Sequence, residues 1–314
     1  MVSSAEVRLG DLRVVPLGVG TWAWGTKRLW GYGGDYDERD LEAAFRTSLE
    51  AGITLFDTAE IYGSGASERI LGRLIRKSGE EVVVATKFAP LPYRLGARSL
   101  LKAVQGSRER LGIETVDLYQ VHFPSPLLSI ERLMDALAEA VKRGWVRNVG
   151  VSNYGAGQMF RAARRLERHG IPLASNQVHY SLLHRAPERN GVLDACRELG
   201  AVLIAYSPLA QGLLTGKYRP GVRAAGGLRR LDRRFRRKGL ERIRPVVDLL
   251  RRVGEAHGGR TPAQVALNWL AMRDGVLPIP GAKNERQARE NAGALGWRMS
   301  EDEFHRLERA TRAL

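Results

Sequence analysis

The feature that most restricts the fold of this chain is an alternation, from one end to the other, of short β-branched apolar runs with amphipathic helical stretches. The runs are residues 16–20, ITLFD at 53–57, VVVATK at 82–87, VDLYQVH at 116–122, VRNVGVS at 146–152, LASNQV at 173–178, VLIAYS at 202–207 and VLPIP at 276–280. Their length and period make them strands, and the stretches between them helices. Eight such units predict an α/β protein whose parallel strands close into a (β/α)8 TIM barrel, in preference to an open doubly wound sheet. Helix punctuation agrees. Asp37, Ser67 and Thr261 stand where N-terminal caps belong, Pro262 takes a first helical position, and Gly52, Gly112, Gly144 and Gly200 fall where helices stop. No long linker divides the repeat, so residues 1–314 are expected as one domain, and a chain 44% hydrophobic has ample material for its core.

Two segments depart from the repeat: residues 23–37, rich in Trp, Tyr and Gly, and an arginine-dense stretch over 219–238 that includes Arg223, Arg229, Arg230 and Arg234. Both follow a strand, on the side where barrel enzymes build their sites. The arginine stretch reads as a solvated segment or as a lid over phosphates. A net charge of +16 raises the question of nucleic acid, but no recognition fold accompanies it, so no nucleic-acid partner is expected. The single cysteine, Cys196, excludes an intramolecular disulfide and a thiolate zinc site; LDACRELG places it on the apolar side of a helix, buried and inert. No stretch approaches the roughly 18 apolar residues of a membrane span, and the opening residues lack the core of a secretion signal. A cytoplasmic protein without a membrane partner is the expectation. No metal is expected either, because His179 and His184 have no carboxylate or cysteine at ligand spacing.

Each strand run ends in polar residues: Asp57, Lys87, His122, Ser152 with Asn153, Asn176 with Gln177, Tyr206 with Ser207, and Gly281 after the last. Any one of these alone is more simply a cap or a satisfied core residue. A barrel brings them all to one mouth, where (β/α)8 catalysis takes place. A lysine buried at a strand end needs a partner, which Asp57 supplies from the neighbouring strand. Tyr62 lies five residues beyond Asp57, within reach of Lys87, whose charge is expected to lower a phenol pKa that is otherwise about 10. A proton-donating phenol beside the imidazole of His122 is equipment for general-acid catalysis with stabilisation of a developing alkoxide. Such a site lacks only a hydride source.

The segments GTWAWG, FDTAEIYGSGASERILG, VVVATKF, DLYQVH, VGVSNY, SNQVHYSLL, IAYSPLAQGLLTGKY and PIPGAKNERQARENAGALGW, in this order over about residues 7–310, resemble the aldo-keto reductases. The last two are most similar to the plant-plastid and bacterial branch that includes pyridoxal reductase-like proteins. The resemblance implies an NADPH-dependent reductase of aldehydes and ketones, with Asp57, Tyr62, Lys87 and His122 as the catalytic tetrad, Tyr62 as acid and His122 orienting the carbonyl. It implies that Ser152, Asn153 and Gln177 meet the nicotinamide carboxamide and that Tyr206 stacks on the nicotinamide. Ser207, Pro208, Leu209, Gln211, Gly212 and Lys217 would cover the pyrophosphate. Gly281, Ala282, Lys283, Asn284, Gln287, Glu290 and Asn291 would hold the adenosine end, with Thr21, Trp22 and Asp57 completing the floor. Many relatives carry basic residues where this chain has Gly281 and Gln287. Recognition of the 2′-phosphate therefore falls on Lys283, with help from an arginine of 219–238, and NADPH is expected ahead of NADH. Trp24 and Phe123 are expected to line the substrate pocket, with Trp30, Tyr32 and Tyr93 divided between pocket and loop packing. The competing reading is a barrel that holds NADPH to sense redox state or regulate a partner, with little turnover.

Overall fold

A computed structural model describes residues 6–94, 96–219, 229 and 232–312. Its strands are β1 (Val7–Leu9), β2 (Leu12–Val14), β3 (Val19–Gly20), β4 (Leu55–Asp57), β5 (Val83–Phe88), β6 (Val116–Val121), β7 (Val146–Ser152), β8 (Leu173–His179), β9 (Val202–Tyr206) and β10 (Val276–Ile279). Strands β3 to β10 form one parallel sheet in chain order. The sheet closes where β10 returns to β3: Gly18 N donates to Pro278 O and Gly20 N to Pro280 O, each at 3.0 Å. A Cβ at Gly20 would lie 2.9 Å from Ile279 O, so the seam requires glycine there. All eight strand runs of the sequence become barrel strands.

Most of the strands are buried on both faces, which is why they read as continuous apolar runs. The antiparallel pair β1–β2 has no counterpart in the sequence reading. Its Leu9, Leu12 and Val14 pack on Leu55, Leu118, Ile204 and Leu277, so the hairpin plugs the end of the barrel opposite the polar strand tips. The turn is pinned by Asp11, whose carboxylate accepts from Asn148 Nδ2 at 2.6 Å and Arg147 Nε at 2.7 Å.

Helix boundaries follow the sequence signals with one exception. Asp37 and Thr261 head complete capping boxes with Asp40 and Gln264, and Gly52, Gly112, Gly144 and Gly200 all take left-handed φ just past helix ends. Ser67, expected as a cap, lies inside the helix Ala66–Ser78, whose N-terminal flank is Gly65. The Ser67 hydroxyl is buried and bonds Thr21 and Thr58 instead, joining that helix to the strand ends. Cys196 is buried at 2% exposure, and burial pushes its thiol up to about 12, in keeping with an inert residue. Among the described residues no helix is long and apolar enough to cross a membrane.

Candidate active site

At the C-terminal ends of β4 and β5, Lys87 Nζ donates to Asp57 Oδ1 at 2.6 Å and to Thr58 O at 2.7 Å. The lysine is wholly inaccessible and the aspartate nearly so. Asp57 Oδ2 accepts from Gln177 Nε2 at 2.7 Å, so one carboxylate oxygen is satisfied from the neighbouring strand and the other from across the barrel. Burial works against the Lys87 charge, yet Asp57 and Tyr62 more than offset it, and its pKa stands above the ordinary lysine value. The cation is therefore permanent at neutral pH.

Tyr62 stands in the turn after β4 with its ring centroid 5.1 Å from Lys87 Nζ, so the ammonium charge acts directly on the phenol. The expected downward shift of this phenol is not what the structure gives. Burial raises its pKa above 10, with Lys87 the largest opposing influence and Asp57 adding to the rise. At neutral pH Tyr62 is a protonated phenol with a fixed cation beside it, which suits a proton donor.

The His122 ring meets Tyr62 edge to face at 5.8 Å. Burial, and then the Lys87 charge, drive its pKa down to about 3, so the imidazole is neutral, and its Nδ1 has no partner among the described residues. One strand further, Asn153 takes a left-handed backbone (φ 61°) and its side chain bridges the site: Nδ2 donates to His122 O at 3.0 Å, and Oδ1 accepts from Tyr206 Oη at 3.1 Å. A non-glycine residue held there is strained, and such strain persists where the surroundings over-determine it.

These groups open onto a cavity of about 590 Å³. One end is lined by Asp57, Tyr62, His122, Ser152, Asn153, Gln177 and Tyr206. The other end groups Lys217, Arg229, Lys283 and Arg286, with Glu290 the one acid on the wall beside them among the described residues. The segment after β9 borders both, with Ser207 and Gln211 also left-handed and Gln211 Oε1 buried without a partner among the described residues. A long polar ligand with an aromatic head and an anionic tail matches that distribution of groups.

A model of the aldo/keto reductase family matches residues 16–312. The chain belongs to that family. A chloroplastic pyridoxal reductase of Arabidopsis thaliana is 41% identical over 98% of this chain and 86% of its own length. An uncharacterised oxidoreductase of Mycobacterium tuberculosis is 39% identical over 96% of this chain and 90% of its own. Among solved structures, a glycerol dehydrogenase from Gluconobacter oxydans superposes with a TM-score of 0.86 at 28% identity, over 98% of this chain and 95% of that one. An aldo-keto reductase from Klebsiella pneumoniae in complex with NADPH gives 0.77 at 28% identity, over 99% and 96%. The protein is thus an oxidoreductase built on the (β/α)8 barrel.

Against the contacts implied by resemblance to the aldo-keto reductases, the structure places Trp22, Pro208, Leu209, Gly212, Gly281, Gln287 and Asn291 on the cavity wall along with the residues named above. Five residues expected to touch cofactor or substrate are not among its lining. Thr21 is buried and bonds Asp57 O, and Ala282 is buried with its carbonyl accepting from Trp24 Nε1 at 2.9 Å. Asn284 caps the helix Glu285–Ala292 through Gln287 N. Trp24 is fully buried beside Phe56, so it is core and not pocket. Phe123 packs on His122 at 5.7 Å outside the cavity lining. Of the remaining aromatics, Trp30 lines the cavity, Tyr32 packs on Tyr36, and Tyr93 is 75% exposed. Arg286, Ile61 and Ile279 are lining residues that the sequence reading missed. Arg286 lies one residue before Gln287 on the same helix, and nothing in its immediate sequence distinguishes it from the other arginines. In the 219–238 stretch Arg229 reaches the cavity, whereas Arg223 and Arg230 lie outside the described residues.

Proposed function

We propose that the chain, acting as one catalytic domain, reduces small aldehydes and ketones to alcohols with NADPH, and that Tyr62 is the general acid. The observation that carries this reading is the sequestered Asp57–Lys87 pair set against a neutral phenol at one end of a cavity whose other end is cationic. The residues fit a phosphorylated dinucleotide. Lys217, Arg229, Lys283 and Arg286 offer charge for its phosphates, Trp30 Nε1 and Gln211 Oε1 at the same wall are polar atoms without a partner among the described residues, and the Gln177 side chain is held in place by its nitrogen's bond to Asp57. When bound, the reduced nicotinamide supplies the hydride. Tyr62 gives its proton to the carbonyl oxygen, and Lys87 stabilises the phenolate left behind; a solvent proton restores the phenol. His122, neutral and facing Tyr62, holds the carbonyl oxygen by a hydrogen bond rather than by charge. The second cofactor, NADH, lacks the phosphate for which the cation cluster is suited, and binds less well. The pyridoxal reductase among the relatives puts pyridoxal first among aldehydes to test, and the lone buried thiol suits a reducing, cytoplasmic setting.

Tyr62→Phe tests the assignment. The variant is expected to bind NADPH as the parent does, by quenching of protein fluorescence, while its reduction of pyridoxal and simple aldehydes, followed as loss of nicotinamide absorbance, falls by at least about 10²-fold. Activity retained within a few-fold removes Tyr62 as the acid.

A further inference from the structure

From Tyr206 on the cavity wall a column of three rings runs back into the protein, through two histidines that the proposed chemistry does not use. His179 ends β8 and Tyr206 ends β9, and the two are paired in register across the sheet. Their rings stack with centroids 5.4 Å apart and planes within 12°. His184 folds back through a tight turn, closed by Ser181 N to His184 O at 3.2 Å and the reverse bond at 3.0 Å, and stacks its ring on that of His179 at 4.0 Å and 7°. The turn is itself anchored: Arg185 Nε donates to Glu188 Oε1 at 2.7 Å, and Arg185 Nη1 to Glu308 O at 2.7 Å. One face of Tyr206 is thus covered by His179, its hydroxyl is tied to Asn153, and it meets the cavity with what remains.

Resting on the NADPH reading above, we infer that His179, backed by His184, is a positioning residue that fixes the plane of Tyr206 as the platform for the nicotinamide ring and favours its oxidised form. The physical ground is twofold. An aromatic ring held by offset stacking on one face and a hydrogen bond at its edge has lost its freedom before the ligand arrives, so less is lost on binding. The platform is also neutral: burial pushes the His179 imidazole down to about 4 and lowers that of His184, and nearby Arg234 and Arg189 oppose a further positive charge there, with only Asp232 acting the other way. An uncharged stack of electron-rich faces attracts the positively charged oxidised nicotinamide more than the neutral reduced one. A histidine column that was protonated would do the reverse.

The test compares binding of NADP+ and NADPH to the intact protein and to the variants His179→Ala, His179→Phe and His184→Ala. His179→Ala is expected to weaken NADP+ by about tenfold and NADPH clearly less, His179→Phe to restore both within about twofold, and His184→Ala to show a smaller effect in the same sense. Thermal melting of each variant separates a folding defect from a binding one. Equal weakening of both cofactor forms, or no change in either, overturns the inference while leaving the reductase reading in place. Failure of Phe to rescue also overturns it. If the unaltered protein binds neither form, the NADPH reading falls and this inference with it.

Discussion

At the scale of single residues, the site is a set of groups whose ionisation is settled by burial and by one fixed cation. Lys87 is held charged, His122 is held neutral and Tyr62 is held protonated, so none of the three changes state near pH 7. A group that does change lies at the other end of the cavity. Lys283 Nζ donates to Trp30 O at 2.7 Å and lies 4.5 Å from the Tyr36 ring centroid; burial, then Arg229 and Lys217, bring it down to about 8 against the pull of Asp35. The sign follows directly. A 2′-phosphate held by Lys283, as proposed, would need the protonated lysine, which is present below about pH 8 and is lost above it, and binding would shift the titration upward. The ratio of NADPH to NADH affinity is therefore expected to fall as pH rises through about 8 to 9. Lys283→Ala is expected to flatten that dependence and to raise the Michaelis constant for NADPH much more than that for NADH. A ratio independent of pH in the parent protein, or equal effects of the variant on both cofactors, assigns the 2′-phosphate to Arg229 or Arg286 instead.

At the scale of elements, the site depends on how closely the outer helices can approach. Gly72, in the helix Ala66–Ser78, faces the end of the helix Ala97–Leu111, and a Cβ there would lie 2.2 Å from Leu111 O and 2.6 Å from its carbonyl carbon. Backbone atoms cannot turn aside as a flexible side chain does. Gly72→Ala is accordingly expected to cost about 2–3 kcal/mol by denaturant unfolding, despite alanine's better helix propensity. A neutral or stabilising result means the two helices separate freely. The same contrast between local signal and tertiary contact explains what the sequence disclosed. Strands β3 to β10 were legible because burial on both faces makes them continuous apolar runs, and the grouping of Asp57, Tyr62, Lys87 and His122 at one mouth was legible because each ends such a run or lies just beyond one. GTWAWG did not disclose its facing: the chain turns there, with Trp24 N bonded to Thr21 O, so Trp22 borders the cavity while Trp24 enters the core. The direction of the Tyr62 shift was equally hidden, since it sets a lysine charge against a degree of burial that no spacing reveals.

At the scale of the whole molecule, the barrel separates what holds it together from what acts. The polar strand tips and the cavity occupy one end, and the β1–β2 hairpin closes the other, where three-residue strands offer too little alternation to be read as strands from sequence. Leu9 is fully buried in that plug, packed with Leu55, Leu118, Ala174 and Leu277 around the barrel interior. Leu9→Ala leaves a cavity in a part of the core that every strand end nearby shares, so a loss of about 3 kcal/mol is expected. The floor is far from the groups that would meet cofactor or carbonyl, and a closed sheet held by its own hydrogen bonds transmits little of a side-chain truncation along its strands. The variant is therefore expected to unfold at a lower temperature and lower denaturant midpoint while keeping, at 25 °C, the parent's Michaelis constants and turnover within about twofold. If turnover falls in step with stability, the hairpin is coupled to the mouth through the strands, and the barrel behaves as one mechanical unit rather than as a rigid scaffold with a separable floor.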